Sequence, residues 1–283
     1  MARTRRGSGD ALPTAPHVAL VPDDRGGVTL VLDGSPQSHV QLDDPGLLVF
    51  EYVQHLALVL DTLPPGPIAV THVGGAGMTL PRYVEHSRPG SPQIVLEPDA
   101  ALTELVRRDL PLPRRHRIRV RPVDGLTGTQ ALADASADAV VVDAYALGRV
   151  PAELTTVDYL RDVARVLRPG GVALLNLTDE PGMHYVTRVL ASIEAAGPFT
   201  ALALIATQEV LKGRRFGNVV VAAARGGVLD APALARAVAR APFPTGVRAG
   251  ADVARMARAG RPFIEADRAP SPVPPDPGSW RVR

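Results

Sequence analysis

The sequence IAVTHVGGAG at residues 68–77 decides the fold, because an apolar run of strand length passes directly into a glycine-rich turn. Residues 80–86 then carry the spacing of an amphipathic helix. A second apolar run, at residues 93–96, ends in Glu97-Pro98-Asp99. A strand, a helix and a second strand in this order predict a parallel βαβ unit with a right-handed crossover.

The same alternation continues along the chain. Further apolar runs followed by helical spacing predict strands at residues 118–121, 139–142 and 172–175, and helices at residues 100–108, 129–135, 155–167 and 185–196. The strands are continuously apolar, as a sheet covered on both faces requires. Two later runs, at residues 201–206 and 219–224, leave no room for a full helix between them and are expected to pair antiparallel. Residues 230–259 are interpreted as two short helices.

Composition excludes several classes of protein. The 283 residues contain no cysteine, so disulfide scaffolds, zinc–cysteine sites and thiol catalysis are ruled out. The seven histidines lack metal-ligand spacing, and no metal site is expected. Only Lys212 among the 31 basic residues is not arginine, and the net charge is +2. The arginine-rich run at residues 114–121 has no interleaved aromatics, so we expect a solvated loop and no nucleic-acid partner. No apolar run approaches the roughly 20 residues of a membrane helix, and a cytoplasmic protein is expected.

Four polar or glycine-rich positions follow the predicted parallel strands, at the edge where an open α/β sheet binds its ligand. They are the turn Gly74-Gly75-Ala76-Gly77, Glu97, Asp124-Gly125 and Asp143. Glu97 stands where an acidic residue would bind ribose hydroxyls. A strand-end aspartate is also a common helix cap. The turn lacks the full Gly-x-Gly-x-x-Gly register of dinucleotide sites, so a cofactor of the S-adenosylmethionine type is favoured.

Taken in order, these segments resemble the polyamine aminopropyltransferases, the spermidine synthase-like family. LDGSPQS at residues 32–38 is similar to the family's hairpin sequence Leu-Asp-Gly-x-x-Gln, and Glu51-Tyr52 resembles the start of its tyrosine-bearing helix. The likeness covers about residues 17–225. An arginine-rich actinobacterial branch shows stretches similar to residues 80–84, 151–156 and 211–218. The resemblance implies a class I methyltransferase-like (Rossmann-like), mostly parallel sheet with an antiparallel edge, preceded by a small N-terminal β-hairpin module.

The resemblance also implies site residues and chemistry. Decarboxylated S-adenosylmethionine would donate an aminopropyl group to an amine such as putrescine and leave methylthioadenosine. Asp143 would be the general base, and no cofactor would be tightly bound. The co-substrate would be bound by Gln37, Gly74, Gly75, Gly77, Glu97, Asp124 and Gly125. Tyr52 would bind the acceptor amine, and Tyr145 can line the acceptor pocket or pack in the core.

The sequence departs from the family pattern at two expected carboxylates and one glutamine. The glycine turn has Ala76 and Gly77 where the family carries an aspartate, Ala146 replaces a second aspartate, and Val53 replaces a glutamine. Three explanations stay open: a different acceptor, S-adenosylmethionine itself as donor in a methyltransferase, or a non-catalytic nucleoside-binding homologue. Anions can also come from other loops, the candidates being Asp43, Asp44, Asp158 and Asp179.

The chain is divided into a disordered N-terminal arm (1–16), an N-terminal β module (17–45), a Rossmann-like methyltransferase-type domain (46–262) and a Pro-rich tail (263–283). A homodimer is expected, because the resemblance implies one and because the β module has too little apolar surface to close its own core. The substrate partner is expected to be a small-molecule amine.

Overall fold

The N-terminal strands form a sheet of their own. The computed structural model describes residues 18–275, so the arm expected at residues 1–16 lies outside the described residues. Strands β1 (Val18–Pro22), β2 (Gly27–Leu32) and β3 (Ser35–Gln41) pair antiparallel in the order β1-β2-β3. Asp33 and Gly34 both adopt positive φ between β2 and β3. This is the tight turn that matches the twist of paired strands, and Asp-Gly is among its preferred sequences.

The second sheet has eight strands and confirms the predicted mostly parallel sheet with an antiparallel edge. Its order is β11-β9-β10-β8-β7-β4-β5-β6. The strands from β4 to β8 pair in parallel, and β9, β10 and β11 are antiparallel to their neighbours. Their bounds are β4 Val70–Val73, β5 Gln93–Leu96, β6 Ile118–Arg121, β7 Ala137–Val142, β8 Leu167–Asp179, β9 Phe199–Thr207, β10 Gly217–Arg225 and β11 Thr245–Ala249.

Helices cover both faces of this sheet. In β7, Val140 packs into a core with the helices on one face, whereas Val141 packs into a core with the helices on the other. This alternation explains why the strand is apolar throughout. None of the described helices has the length and apolar character for crossing a membrane. The helices are α1 Glu51–Asp61, α2 Thr79–Ser87, α3 Ala100–Asp109, α4 Gly125–Gln130, α5 Val157–Val166, α6 His184–Ala196, α7 Gln208–Leu211, α8 Ala231–Ala239 and α9 Ala251–Ala259.

Two sequence-based expectations for these elements were wrong. The helix expected at residues 129–135 is α4, which begins at Gly125 because the Asp124 side chain accepts a hydrogen bond from Thr127 N and caps it. Residues 230–259 contain two helices as expected but also the edge strand β11 between them. That strand pairs on one side only, with β9, and its composition gives little signal.

The N-terminal sheet packs against the larger domain of the same chain. Leu30 and Val40 are fully buried in a cluster with Met78 and with Leu102 and Val106 of α3. A partner chain is therefore not needed to cover these residues. The homodimer remains an expectation.

The C-terminal residues that the structure describes also pack against the larger domain. Phe263 and Ser271 are buried, although residues 268–275 form no helix or strand. The remainder of the segment expected as a Pro-rich tail, residues 276–283, lies outside the described residues.

Candidate active site

A cavity of about 430 Å³ opens at the carboxyl ends of β4, β5 and β7. Strand β4 lies between β5 and β7, so the strand order reverses here, where open α/β sheets bind ligands. The volume falls within the roughly 300–1,000 Å³ of small-molecule sites. Nine of the ten site residues expected from the sequence line it, namely Gln37, Tyr52, Gly74, Gly75, Glu97, Asp124, Gly125, Asp143 and Tyr145. The tenth residue, Gly77, is buried and does not line the cavity.

The glycine turn is held by close contact with the end of β7. Gly74 has φ of +88°, and a Cβ there would lie 2.3 Å from the backbone oxygen of Asp143. A side chain is therefore excluded by both conformation and space. Gly74 N also donates to Leu96 O at 2.9 Å. The turn thus keeps a fixed place between the ends of β5 and β7.

Glu97 fastens the same turn from the side of β5. Its Oε2 accepts hydrogen bonds from Gly75 N at 3.1 Å and Ala76 N at 3.3 Å, and its Oε1 accepts one from Asp99 N at 3.1 Å. Oε1, which accepts one bond, has a further lone pair for a ligand hydroxyl. Glu97 therefore orients the glycine turn and presents an acceptor to the cavity.

Gly77 serves the packing of the N-terminal sheet. Its backbone N donates to Ser38 Oγ at 2.9 Å, and a Cβ at this position would lie 2.5 Å from that oxygen. The neighbouring Thr79 Oγ1 donates to His39 O at 2.8 Å. Strand β3 thus reaches the cavity through its contact with the glycine turn, which places Gln37 in the lining.

Asp124 caps α4 and also borders the cavity. Its pKa lies below the usual range, because the carboxylate accepts a hydrogen bond from the backbone N–H of Thr127. Only Oδ1 is engaged in that 2.8 Å bond. The capping role weighed at the sequence level is therefore present, in a carboxylate that also lines the cavity.

Asp143 lies at the end of β7 and accepts a 2.8 Å hydrogen bond at Oδ1 from Asn176 Nδ2. Burial raises the pKa of its carboxyl to about 6, and the bond from Asn176 works in the opposite direction. A carboxylate with a pKa close to neutrality that borders a cavity suits a general base.

Two tyrosines flank Asp143. Burial, with the nearby Asp143 charge, raises the pKa of both Tyr52 and Tyr145 well above the ordinary value. Tyr52 donates to Gln37 O at 3.2 Å, and Tyr145 donates to Asn176 O at 3.1 Å. Both hydroxyls therefore stay protonated, with their oxygens able to accept from a ligand amine.

Sequence reasoning missed the amide pair behind Asp143. Asn218 on β10 donates to Asn176 Oδ1 at 3.0 Å, so it orients the amide that donates to Asp143, and it also donates to Tyr145 Oη at 3.3 Å. Polar Asn176 in the otherwise apolar run of β8 was the available signal. Glu153, the other missed residue, lines the cavity beside Pro151.

The positions that depart from the family pattern face the cavity. Ala76 and Ala146 both line it. None of the four aspartates proposed as substitute anions does so. Asp179 is buried and accepts from the backbone N of Glu180 and of Val186, both at 2.8 Å, and Asp158 pairs with Arg161 at the surface. Asp44 accepts from Gly46 N, and Asp43 lies beside it in the chain.

The charged residues of the cavity are all acidic. Five lining residues carry carboxylates, and within residues 18–275 no arginine or lysine lines the cavity. His72 also contributes to the wall, but burial lowers its pKa to about 4 and keeps it neutral. The described part of the chain offers no group of three or more side chains suited to a metal ion. The five acidic residues are Glu97, Asp99, Asp124, Asp143 and Glu153.

Solved structures with a similar fold include several spermidine synthases. A probable spermidine synthase from Corynebacterium glutamicum superposes with a TM-score of 0.80 and 26% identity, over 92% of this chain and 97% of that chain. Its source agrees with the actinobacterial branch expected from the sequence. A spermidine synthase in complex with the transition-state analogue AdoDATO has a TM-score of 0.55 and 18% identity, over 79% of this chain and 73% of that chain.

The human methyltransferase-like protein 13 in complex with SAH shares the fold at a TM-score of 0.53 and 20% identity, over 77% of this chain and 96% of that chain. No protein-family model matches the chain, and no curated protein matches it significantly. The similarity to the Corynebacterium protein extends over nearly the whole of both chains and, with the ordered strand-end residues, supports the resemblance of this chain to the spermidine synthase-like family.

Proposed function

We propose that the protein is an aminopropyltransferase that moves an aminopropyl group from decarboxylated S-adenosylmethionine to an amine. The acidic lining of the cavity is the observation that carries this proposal. Five carboxylate residues without a lysine or arginine among the described lining residues favour cationic ligands. A sulfonium donor and an ammonium acceptor are both cations. We also propose that the products are polyamines. The protein is proposed to act as a homodimer.

The lining also supports the choice of donor. S-adenosylmethionine carries a carboxylate that would enter a cavity whose charged walls are acidic. An anion placed there without a cationic partner would be repelled and desolvated at the same time. Loss of that carboxylate removes the conflict. This argument favours the decarboxylated donor over a methyltransferase reaction, even with Ala76 in the glycine turn.

The residues divide into two groups on this proposal. Gln37, the glycine turn and Glu97 hold the nucleoside, with Glu97 on the ribose hydroxyls. Asp124 and Gly125 bind the adenine, where Asp124 Oδ2 accepts from the amino group. Tyr52 and Tyr145 bind the acceptor amine beside Asp143.

Asp143 removes the proton that blocks the acceptor nitrogen. The acceptor is an ammonium ion at neutral pH and has no lone pair until it loses one proton to a carboxylate oxygen of Asp143. The free lone pair forms a bond to the carbon next to the sulfonium, and the electrons of the breaking carbon–sulfur bond go to sulfur. The products are neutral methylthioadenosine and a secondary ammonium ion, with the transferred proton on Asp143.

Calorimetry with three ligands tests the donor assignment. We expect decarboxylated S-adenosylmethionine to bind at least about ten-fold more tightly than S-adenosylmethionine. A ten-fold difference in affinity corresponds to about 1.4 kcal/mol, and burial of an unpaired carboxylate costs at least that much. Methylthioadenosine should bind in the same cavity and compete with the donor. Tighter binding of S-adenosylmethionine, together with methyl transfer to a small acceptor, would overturn the proposal in favour of the methyltransferase.

A further inference from the structure

The described C-terminal residues cross the domain as a strap, here defined as residues 261–275. Its first anchor is Phe263, which is 1% exposed and packs against Tyr185 of α6 with ring centroids 5.4 Å apart. Phe263 N donates to Ser192 Oγ at 2.8 Å, and Phe263 O accepts from Val157 N at 2.9 Å. The strap is therefore fastened to the starts and sides of α5 and α6.

The second anchor of the strap is Ser271, whose exposure is 0%. Its Oγ accepts from Val150 N at 2.9 Å and lies 3.0 Å from Thr178 Oγ1 on β8. Its backbone N donates to Val150 O at 3.2 Å. The Arg149 guanidinium donates to the backbone oxygens of Ser271 and Pro270. Ser271 thus joins the chain at residues 149–150 to the central sheet.

The chain held by Ser271 forms one wall of the cavity. Tyr145 and Ala146 line the cavity before residue 150, and Pro151 and Glu153 line it afterwards. Between them the chain makes a tight turn in which Ala146 and Arg149 exchange hydrogen bonds of 2.8 and 3.1 Å. Leu147 at the tip is 98% exposed and has φ of +52°, so its side chain gains no support from packing.

We propose that the C-terminal strap positions the wall at residues 144–154, with Ser271 as the positioning residue. The assignment of this wall to the acceptor side rests on the proposed function. The physical reason is local. Val150 N is buried with Ser271 Oγ as its acceptor, and a buried N–H left without an acceptor is costly. Loss of that oxygen therefore favours opening of a turn whose remaining bonds to the strap are the one from Ser271 N to Val150 O and those from the Arg149 guanidinium.

Two buried serines of similar geometry give a matched test. Ser271→Ala removes the acceptor of Val150 N, and Ser192→Ala removes the acceptor of Phe263 N at the other anchor. Both serines are 0% exposed. Amide hydrogen exchange is measured on the full chain. We expect exchange at residues 144–150 to become faster by on the order of ten-fold in Ser271→Ala. The same amides should stay at the wild-type rate in Ser192→Ala.

Equal exchange at residues 144–150 in the two variants, or no change in Ser271→Ala, would overturn the proposal. If Ser271→Ala does not fold, Arg149→Met is used as the second variant. Arg149 is partly exposed, and its replacement removes the side-chain hydrogen bonds to the backbone oxygens of Pro270 and Ser271. We expect the same loosening of the turn in that variant. Hydrogen exchange needs no ligand, so this result is independent of whether the protein transfers aminopropyl groups.

A kinetic arm connects the strap to the proposed reaction. In Ser271→Ala we expect KM for the amine to rise by about five- to ten-fold with KM for the donor within about two-fold, because the glycine turn and Glu97 are untouched. Ser192→Ala should leave both values unchanged. A rise in both KM values together would contradict a role confined to this wall. If no variant shows turnover but hydrogen exchange still differs between Ser271→Ala and Ser192→Ala, the proposed function is rejected and the positioning role of the strap is supported.

Discussion

Asn176 Nδ2 on β8 donates a 2.8 Å hydrogen bond to Oδ1 of Asp143 at the end of β7. The amide cannot rotate freely, because Asn218 on β10 donates to its Oδ1. Three neighbouring strands therefore fix one carboxylate at the edge of the cavity. Burial raises the pKa of that carboxyl to about 6, and the bond from Asn176 limits the rise.

Removal of the amide should raise the pKa of Asp143 further. Hydrogen bonds to charged groups contribute about 1.5–3 kcal/mol, so Asn176→Ala is expected to move the acidic limb of the pH–rate profile upward by about one unit or more. Asn218→Ala is the control, because it removes a similar side chain that does not touch Asp143, and its shift should be less than half as large. Profiles that coincide for both variants and the wild type would count against this network.

Asp143 should lower stability at neutral pH. Its folded-state pKa, about 6, lies above the ordinary 3.8, so the folded state holds more protons between these values. The unfolding free energy therefore falls as pH rises through that window and recovers as pH falls. At pH 7.5 the unfolding free energy of Asp143→Asn should exceed that of wild type by about 1–3 kcal/mol. Near pH 3.5 the variant should have no such advantage in stability. Denaturant titration at the two pH values measures both differences. A variant less stable than wild type at pH 7.5 would contradict the raised pKa.

Asp124 should show separable capping and binding roles. Asp124→Asn keeps an oxygen for the bond from Thr127 N, and asparagine caps helices as well as aspartate, so stability should change by less than about 0.5 kcal/mol. Asp124→Ala should cost about 1 kcal/mol. If Oδ2 accepts from the adenine amino group, Asp124→Asn weakens methylthioadenosine binding by about ten-fold in calorimetry. Unchanged affinity in that variant would leave Asp124 as a cap alone.

Gly77 should matter for packing against β3. In Gly77→Ala the new Cβ meets Ser38 Oγ at 2.5 Å, so we expect a loss of about 1–3 kcal/mol in unfolding free energy. Combined with Ser38→Ala, which removes that oxygen, the loss should be smaller than the sum of the two single losses. Additive losses in this double-mutant cycle would show that the contact is not the cause.

The repeating βαβ pattern was readable because strands buried on both faces are continuously apolar, as at Val140 and Val141. The strand-end residues followed, since parallel strands bring their carboxyl ends to one edge. The amides of Asn176 and Asn218 were not found, because their pairing depends on the register of β8 with β10 across 42 residues of sequence. Ser271 was missed for a similar reason. Its partners are 121 residues away at Val150 and 93 residues away at Thr178, and a proline-rich sequence predicts no packing.

Methylthioadenosine release is the measurement that tests the central claim most directly. The full-length protein is incubated with decarboxylated S-adenosylmethionine and a panel of primary amines, and products are separated by chromatography, with Asp143→Asn as the matched control. We predict release of methylthioadenosine with at least one amine, reduced by about a hundred-fold or more in the variant, as expected for loss of a general base. No release with any amine, or equal release by Asp143→Asn, would contradict an aminopropyltransferase that depends on Asp143.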